Sequence, residues 1–192
     1  MEKVSSRRSL NVAGALLFLS AVQFVIVMFV AEALYRPTYS IATNYISDLG
    51  VKSTGFLFDT SISLLGLAVI ASAYFIYRGF DVKVFPVLIG LTGLGALLVG
   101  VFNENFGSIH GYVSDFTFIL GPLAAVYAYR YETSPFKFIS VILGVLSYFA
   151  ILEFMMGGSP AIGVGGWERM IVYPFLLWGI GYGAFLMGLS NK

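Results

Sequence analysis

The sequence predicts an all-α fold, a six-helix transmembrane bundle formed by one integral membrane domain over residues 1–192. Three observations predict it. First, 58% of the 192 residues are hydrophobic and only 11% charged, with a mean hydropathy of +0.88. A soluble domain usually carries about 25% charged and about 45–50% apolar residues, so lipid must be part of the solvent. Second, apolar runs close to the spanning length of about twenty residues recur six times. Third, these runs do not alternate as barrel strands do, and an open sheet would leave backbone groups unpaired in lipid.

The first run extends from about Leu10 to Ala33, behind Lys3, Arg7 and Arg8. Ala31-Glu32-Ala33 has the small-x-small form of a signal cleavage site. The run is too long for an h-region of about 7–15 residues, so it reads as an uncleaved helix. The second run covers about 56–77 and carries Asp59 near its start. The third, about 84–102, is almost wholly apolar and Gly. The fourth, about 109–129, holds His110, Asp115 and Gly121-Pro122. The fifth, about 138–156, has Glu153 near its end. The sixth, about 167–189, opens on Trp167-Glu168-Arg169 and contains Pro174. Prolines inside helices free backbone carbonyls that neighbours or a hydrated cavity must satisfy.

Basic residues orient the bundle. The amino terminus, the 2–3 and 4–5 loops and the carboxyl terminus hold Lys3, Arg7, Arg8, Arg78, Lys83, Arg130, Lys137 and Lys192. The opposite side holds Arg36, Lys52 and Arg169. This bias places both termini in the cytoplasm of a cell-membrane protein. The acids run the other way: Glu2, Asp81 and Glu132 inside, and Glu32, Asp48, Asp59, Glu104, Asp115, Glu153 and Glu168 outside. The net charge of +1 therefore resolves into an excess of five bases inside and of four acids outside. The two longest connections, Leu34–Gly55 and Gly157–Gly166, also lie outside, and long structured loops tend to carry function. Tyr35, Tyr39 and Tyr45 outside, with Tyr74, Tyr77, Tyr127, Tyr129 and Tyr131 inside, read as interfacial aromatic belts.

Several chemistries are excluded. The chain has no Cys and one His, so disulfides, thiolate zinc sites and multi-histidine metal centres are out. There is no phosphate-cradling Gly loop, no dinucleotide fingerprint and no basic stripe for nucleic acid. What remains is the outer acidic face. His110 suits general acid/base work near neutral pH, with Asp115 or Glu104 tuning it, against the alternative of an interfacial His bonded to a loop carbonyl. His110 and Asp115 are five residues apart, about 140° around a helix, whereas His110 and Ser114 share a face. Asp59 aligns with Ser63 and Gly66, either facing a polar cavity or locking helix packing through Gln23 or Asn11. Glu168 gains from the helix dipole. Arg169 suits an ion pair with Asp48 or Glu104, or an anionic group. Ser159 sits in a Gly-Gly-Ser-Pro turn without the serine-elbow pattern. Ala96/Gly100, Gly179/Gly183 and Ala184/Gly188 allow close helix approach.

The chain resembles the domain-of-unknown-function 998 family of multi-pass membrane proteins. The resemblance rests on Tyr39-Ser40 with Asn44-Tyr45-Ile46-Ser47-Asp48-Leu49-Gly50, on Gly100-Val101-Phe102 with His110-Gly111, and on Gly165-Gly166-Trp167-Glu168-Arg169. It spans nearly the whole chain and implies six helices without an assigned activity. Members often carry Asn early in the second helix, where this chain has Asp59.

The combined expectation is an extracytoplasmic polar pocket built from Asp48, Asp59, Glu104, His110, Asp115, Glu153, Glu168 and Arg169. It would bind or process a lipid head group or small anion. His110, Asp115 and Glu104 are its candidate catalytic residues, and the others its ligand-binding ones. No cofactor is evident, although the carboxylates suit a divalent cation. A small proton-coupled transporter and a non-catalytic membrane scaffold remain alternatives.

Overall fold

The computed structural model describes residues 2–158 and 161–190, and Ser159 lies outside them. Six α-helices run through these residues: α1 (Glu2–Leu34), α2 (Gly55–Phe80), α3 (Val84–Val101), α4 (Ser108–Ala128), α5 (Phe136–Met155) and α6 (Gly163–Ser190). Each is long and apolar enough to cross a membrane. The protein is a multi-pass membrane protein, and no strand occurs among the described residues. Large apolar side chains such as Leu19, Phe29, Ile142 and Phe149 are exposed, as lipid requires.

Three helix ends differ from the sequence reading. α1 begins near Glu2 rather than Leu10. Nothing in that stretch breaks a helix, and Ser6 Oγ donates to the Gly79 carbonyl of α2 at 2.7 Å. α2 continues to Phe80 and stops at Asp81, which adopts left-handed backbone (φ 52°), a conformation Asp tolerates better than most residues. α6 starts four residues before Trp167, opening on Gly163 in left-handed backbone (φ 69°), with Gly165 and Gly166 inside the helix.

The connections α1–α2, α3–α4 and α5–α6 lie at one end of the bundle, here the hairpin end. The α2–α3 and α4–α5 turns lie at the other, the return end. Sequential helices are neighbours throughout, and α6 packs on α1 to close a ring. α4 and α6 also touch directly, so α5 sits outside, in the groove between them. Its contact face is small: Ser140, Gly144, Ser147 and Ala150 are buried.

Close helix approach is set by glycine. A Cβ at Gly66 would stand 2.4 Å from the Leu97 nitrogen and 2.6 Å from the Gly93 carbonyl oxygen. A Cβ at Gly14 would stand 2.5 Å from the Gly183 carbonyl oxygen. Of the expected small-residue contacts, Gly100 and Gly183 are packed against neighbours, whereas Gly179 and Gly188 face open space. Pro122 cannot donate within α4, and Tyr148 of α5 donates its hydroxyl to the Ile119 carbonyl nearby at 2.8 Å.

Two apolar cores fill the bundle. One, at the return end, gathers Leu10, Ile76, Phe85, Ala128, Trp178 and Tyr182. The other, toward the hairpin end, gathers Phe24, Met28, Tyr35, Leu49, Phe58 and Leu176. The tyrosines divide accordingly. Tyr74, Tyr77 and Tyr129 are exposed, but Tyr35 is only 2% exposed, and Tyr131 stacks on Phe85 at 5.1 Å. Tyr35 is therefore an interior residue rather than a member of a belt, and Tyr131 is partly buried against the core.

Placing Ala at Gly66 forces a clash with main-chain atoms, which cannot swing aside. Overpacking of this kind costs about 1–3 kcal/mol. Gly66→Ala and Gly14→Ala are expected to lower the Tm in detergent, measured by circular dichroism, while Gly188→Ala leaves it unchanged or slightly raised.

Candidate functional site

The segment between α1 and α2 folds over the hairpin end as a roof. It contains a 3-10 turn at Ser47–Gly50, which packs against a second one at Glu104–Phe106. Its apolar residues point down into the bundle: Tyr35, Ile46 and Leu49 are buried.

The roof is held by Arg169, which is 3% exposed. Its Nη2 pairs with Glu32 Oε1 at 2.8 Å and donates to the Tyr39 hydroxyl. Its Nη1 donates to the carbonyls of Ile41 (3.1 Å), Asn44 (3.0 Å) and Gly165 (2.9 Å). A guanidinium removed from water needs an anion and a full set of acceptors, and its planar fork supplies several donors at once. Burial keeps the Tyr39 phenol above its ordinary range even beside Arg169, so it retains the proton that it donates to the Tyr45 carbonyl at 2.8 Å. The main chain approaches closely enough only because α6 opens with glycine. A Cβ at Gly163 would lie 2.1 Å from the Ala42 carbonyl oxygen, and one at Gly165 2.1 Å from that of Asn44.

Glu32 is thus the anion of Arg169, in place of Asp48 or Glu104. Both of those are engaged elsewhere. Asp48 Oδ2 accepts from Asn44 Nδ2 at 2.7 Å and from the Tyr45 amide at 3.0 Å. Glu104 Oε1 accepts from Ser47 Oγ at 2.9 Å. Burial and the neighbouring Asp48 raise the Glu104 carboxyl above its usual range, and Ser47 and His110 oppose them. Glu168 is buried and accepts the amide of Ile46. Asp59 Oδ2 accepts from Asn103 Nδ2 at 2.8 Å, which also donates to the Gly50 carbonyl at 3.2 Å. Gln23 pairs instead with Ser61.

His110 Nδ1 lies 2.7 Å from the Phe102 carbonyl oxygen, which can only accept, so Nδ1 carries a proton. Its Nε2 is 3.3 Å from Ser114 Oγ and, in the neutral ring, accepts from that hydroxyl. Asp115, on another face of α4, is exposed. Glu153 is half-buried near the end of α5. The structure therefore gathers Asp48, Asp59, Glu104, His110, Glu168 and Arg169 around the roof, while Asp115 is exposed on another face of α4 and Glu153 is half-buried in the last turn of α5. Among the described residues, no three His, Asp or Glu side chains form a metal-binding group.

Beneath the roof lies a cavity of about 110 Å³. α1, α2, α3, α4 and α6 all wall it, and α5 contributes nothing. Its lining is mainly apolar, with Leu17, Phe24, Phe58, Leu65, Ile89, Phe118 and Leu176 among its walls. Ser47 and Glu168 meet it at the hairpin end, with Ser114 and Thr117 along α4. Ala21, Ala96, Gly121, Ala124 and Gly179 leave the space open. In the sequence such residues look like packing devices; only the ring closure turns them inward together.

Sequence reasoning also passed over Glu132, in the turn after α4. It is 8% exposed, and Trp178 Nε1 donates to its Oε1 at 3.3 Å. Burial raises its carboxyl to about 7, with Ser140 and Trp178 opposing. A lone Glu in a short loop carries no pattern that would have marked it.

The profile of a family described as a protein of unknown function (DUF998) matches residues 10–184. The chain belongs to the DUF998 family. That agrees with the resemblance carried by the roof, the head of α4 and the start of α6. No curated protein and no solved structure matches this DUF998 chain, so its activity has to be argued from the site.

Replacing Arg169 with Lys leaves one ammonium for five acceptors. Breaking a buried pair costs about 3–5 kcal/mol. Arg169→Lys is expected to lose part of this and Arg169→Gln all of it, read as a lower Tm and faster proteolysis within residues 36–54. Glu104 binds its proton more tightly in the folded state, so its stabilising contribution is present at acid pH and fades as pH rises through its raised value. The Tm difference between Glu104→Gln and wild type is expected to move in the mutant's favour over that rise.

Proposed function

We propose that this protein is a membrane-embedded binding protein for an apolar chain, the acyl or prenyl tail of a lipid. The tail lies in the cavity within the helix ring, and the lipid's polar end meets Ser47, Ser114 and Glu168 under the roof. One observation carries this reading: five of six helices surround an apolar space capped at one end by polar groups. A scaffold needs the ion pair of the roof but has no need of such a space.

Size narrows the ligand. The cavity is smaller than the apolar cavity of about 150 Å³ that takes up benzene. It accommodates a short stretch of hydrocarbon, with the head group remaining at the hairpin end. The basic-residue bias supports an extracytoplasmic hairpin end and cytoplasmic termini. Asp115 lies on another face of α4 from His110, so it does not serve as the partner of this ring; the bond from His110 Nδ1 to the Phe102 carbonyl fixes the tautomer and leaves Nε2 as the acceptor.

A diazirine-bearing alkyl lipid in nanodiscs tests the proposal. Labelling is expected at Ala96, Phe118 and Leu176, mapped by peptide mass spectrometry. Filling the space with Ala21→Phe and Ala96→Phe is expected to cut labelling there by about tenfold, the effect of about 1.4 kcal/mol. Labelling confined to lipid-facing residues such as Phe29 and Ile142, or undiminished in the folded double variant, would overturn it.

A further inference from the structure

The return end of the cavity holds a feature that the lipid-binding reading does not use. The Trp178 indole lines the cavity floor, and its Nε1 is bonded to Glu132. Glu132 Oε2 is buried without a hydrogen-bond partner, and so is the hydroxyl of Tyr182. Tyr182 is fully buried and stacks on Trp178 at 5.1 Å with an 18° interplanar angle. The groups that face Glu132 are Trp178 and Tyr182 from α6 and Ser140 from α5, with Tyr131 beside it in its own turn. All are neutral. Among the described residues no Lys or Arg forms an ion pair with it. Among the described side chains, the other charged ones at this end, Arg7, Arg8, Arg78, Asp81, Lys83 and Arg130, are exposed, and the half-buried Lys137 lies over Tyr129 and Phe138.

We infer that Glu132 is a proton-binding site coupled through Trp178 to the cavity, so that its protonation state governs occupancy of the cavity by the apolar chain. The coupling half of this inference rests on the cavity being the ligand site.

The physical argument is direct. A buried carboxylic acid with one indole donor is tolerable as a neutral group. The carboxylate left when its proton passes to water is not, because a buried charge needs a counter-ion or several donors. The carboxylate must then draw in the Tyr182 hydroxyl and shorten the Trp178 bond, or swing toward water. Either response moves the indole, which is also the cavity floor. The transition falls near neutral pH, where burial holds the Glu132 carboxyl. By linkage, a chain that prefers one position of Trp178 must shift the protonation of Glu132 in return.

Trp178 is one of two tryptophans, so Trp167→Phe leaves it as the sole indole reporter. In nanodiscs its fluorescence is expected to titrate as a single group near neutral pH, and Trp167→Phe/Glu132→Gln is expected to abolish the transition. Labelling by the diazirine alkyl lipid is expected to differ several-fold between roughly pH 5.5 and roughly pH 8.5. Glu132→Gln should hold it at the low-pH level throughout. A titration that persists in Glu132→Gln overturns the proton site. Labelling equal at both pH values, with the titration lost in Glu132→Gln, overturns the coupling. Absence of cavity labelling at every pH sinks the lipid-binding reading, while the Trp178 titration still decides for or against the proton site. Should Glu132→Gln fail to fold, infrared difference spectra of the unmodified protein across neutral pH supply the same decision. A protonated buried carboxyl band must disappear on raising the pH and must shift in Glu132→Asp; its absence overturns the proposal.

Discussion

A single buried guanidinium organises the hairpin end. Arg169 takes an anion from α1, a phenol and two carbonyls from the roof, and one carbonyl from its own helix. A charge in this position is tolerable only beside an anion and close acceptors, so the requirement runs outward from the two terminal nitrogens of Arg169 to every segment they touch, while its Nε stays buried without a partner. The neighbouring Glu168 holds the Ile46 amide on the adjoining stretch of the roof. Two adjacent side chains thus fix one segment. The glycines that open α6 exist in the same arrangement, since a methyl group at Gly163 or Gly165 would collide with the roof main chain.

With the roof in place, the helix ring encloses space rather than a solid core. Small residues on the inward faces leave a gap that the larger apolar side chains of two cores do not fill. α5 lies outside this ring and is bonded to it by a stripe of small residues and by the Tyr148 hydroxyl. The gap has a polar boundary at both ends. At the hairpin end it meets Ser47 and Glu168, and at the return end it meets the indole that holds Glu132.

The helices were legible because lipid enforces them. A run of about twenty apolar residues has few other ways to satisfy its backbone. Their ends were less so, since Gly163–Gly166 has the composition of a loop yet opens α6, packed closely against the roof. At the hairpin end, several residues that the sequence singled out come together, but with other partners than expected. Arg169 was expected to pair with Asp48 or Glu104, yet Glu32, closing α1, is its anion. Nothing local links residues so far apart in the chain. Asp115 shows the converse: periodicity placed it on a face other than that of His110, and it is exposed there. The cavity and Glu132 depend on which faces meet across the ring, a property of the assembled helices that no single segment encodes.

The Arg169–Glu32 pair joins residues 137 positions apart. Glu32 emerges from the ribosome long before its counter-ion. While the first five helices enter the membrane, this carboxylate has no cation and the roof has no clasp. The floor is missing as well, because Trp178 belongs to the same late helix. Arrival of α6 supplies both together. Closure of the interior therefore depends on the last helix, and without α6 the apolar space walled by α1, α2, α3 and α4 would stand open on one side.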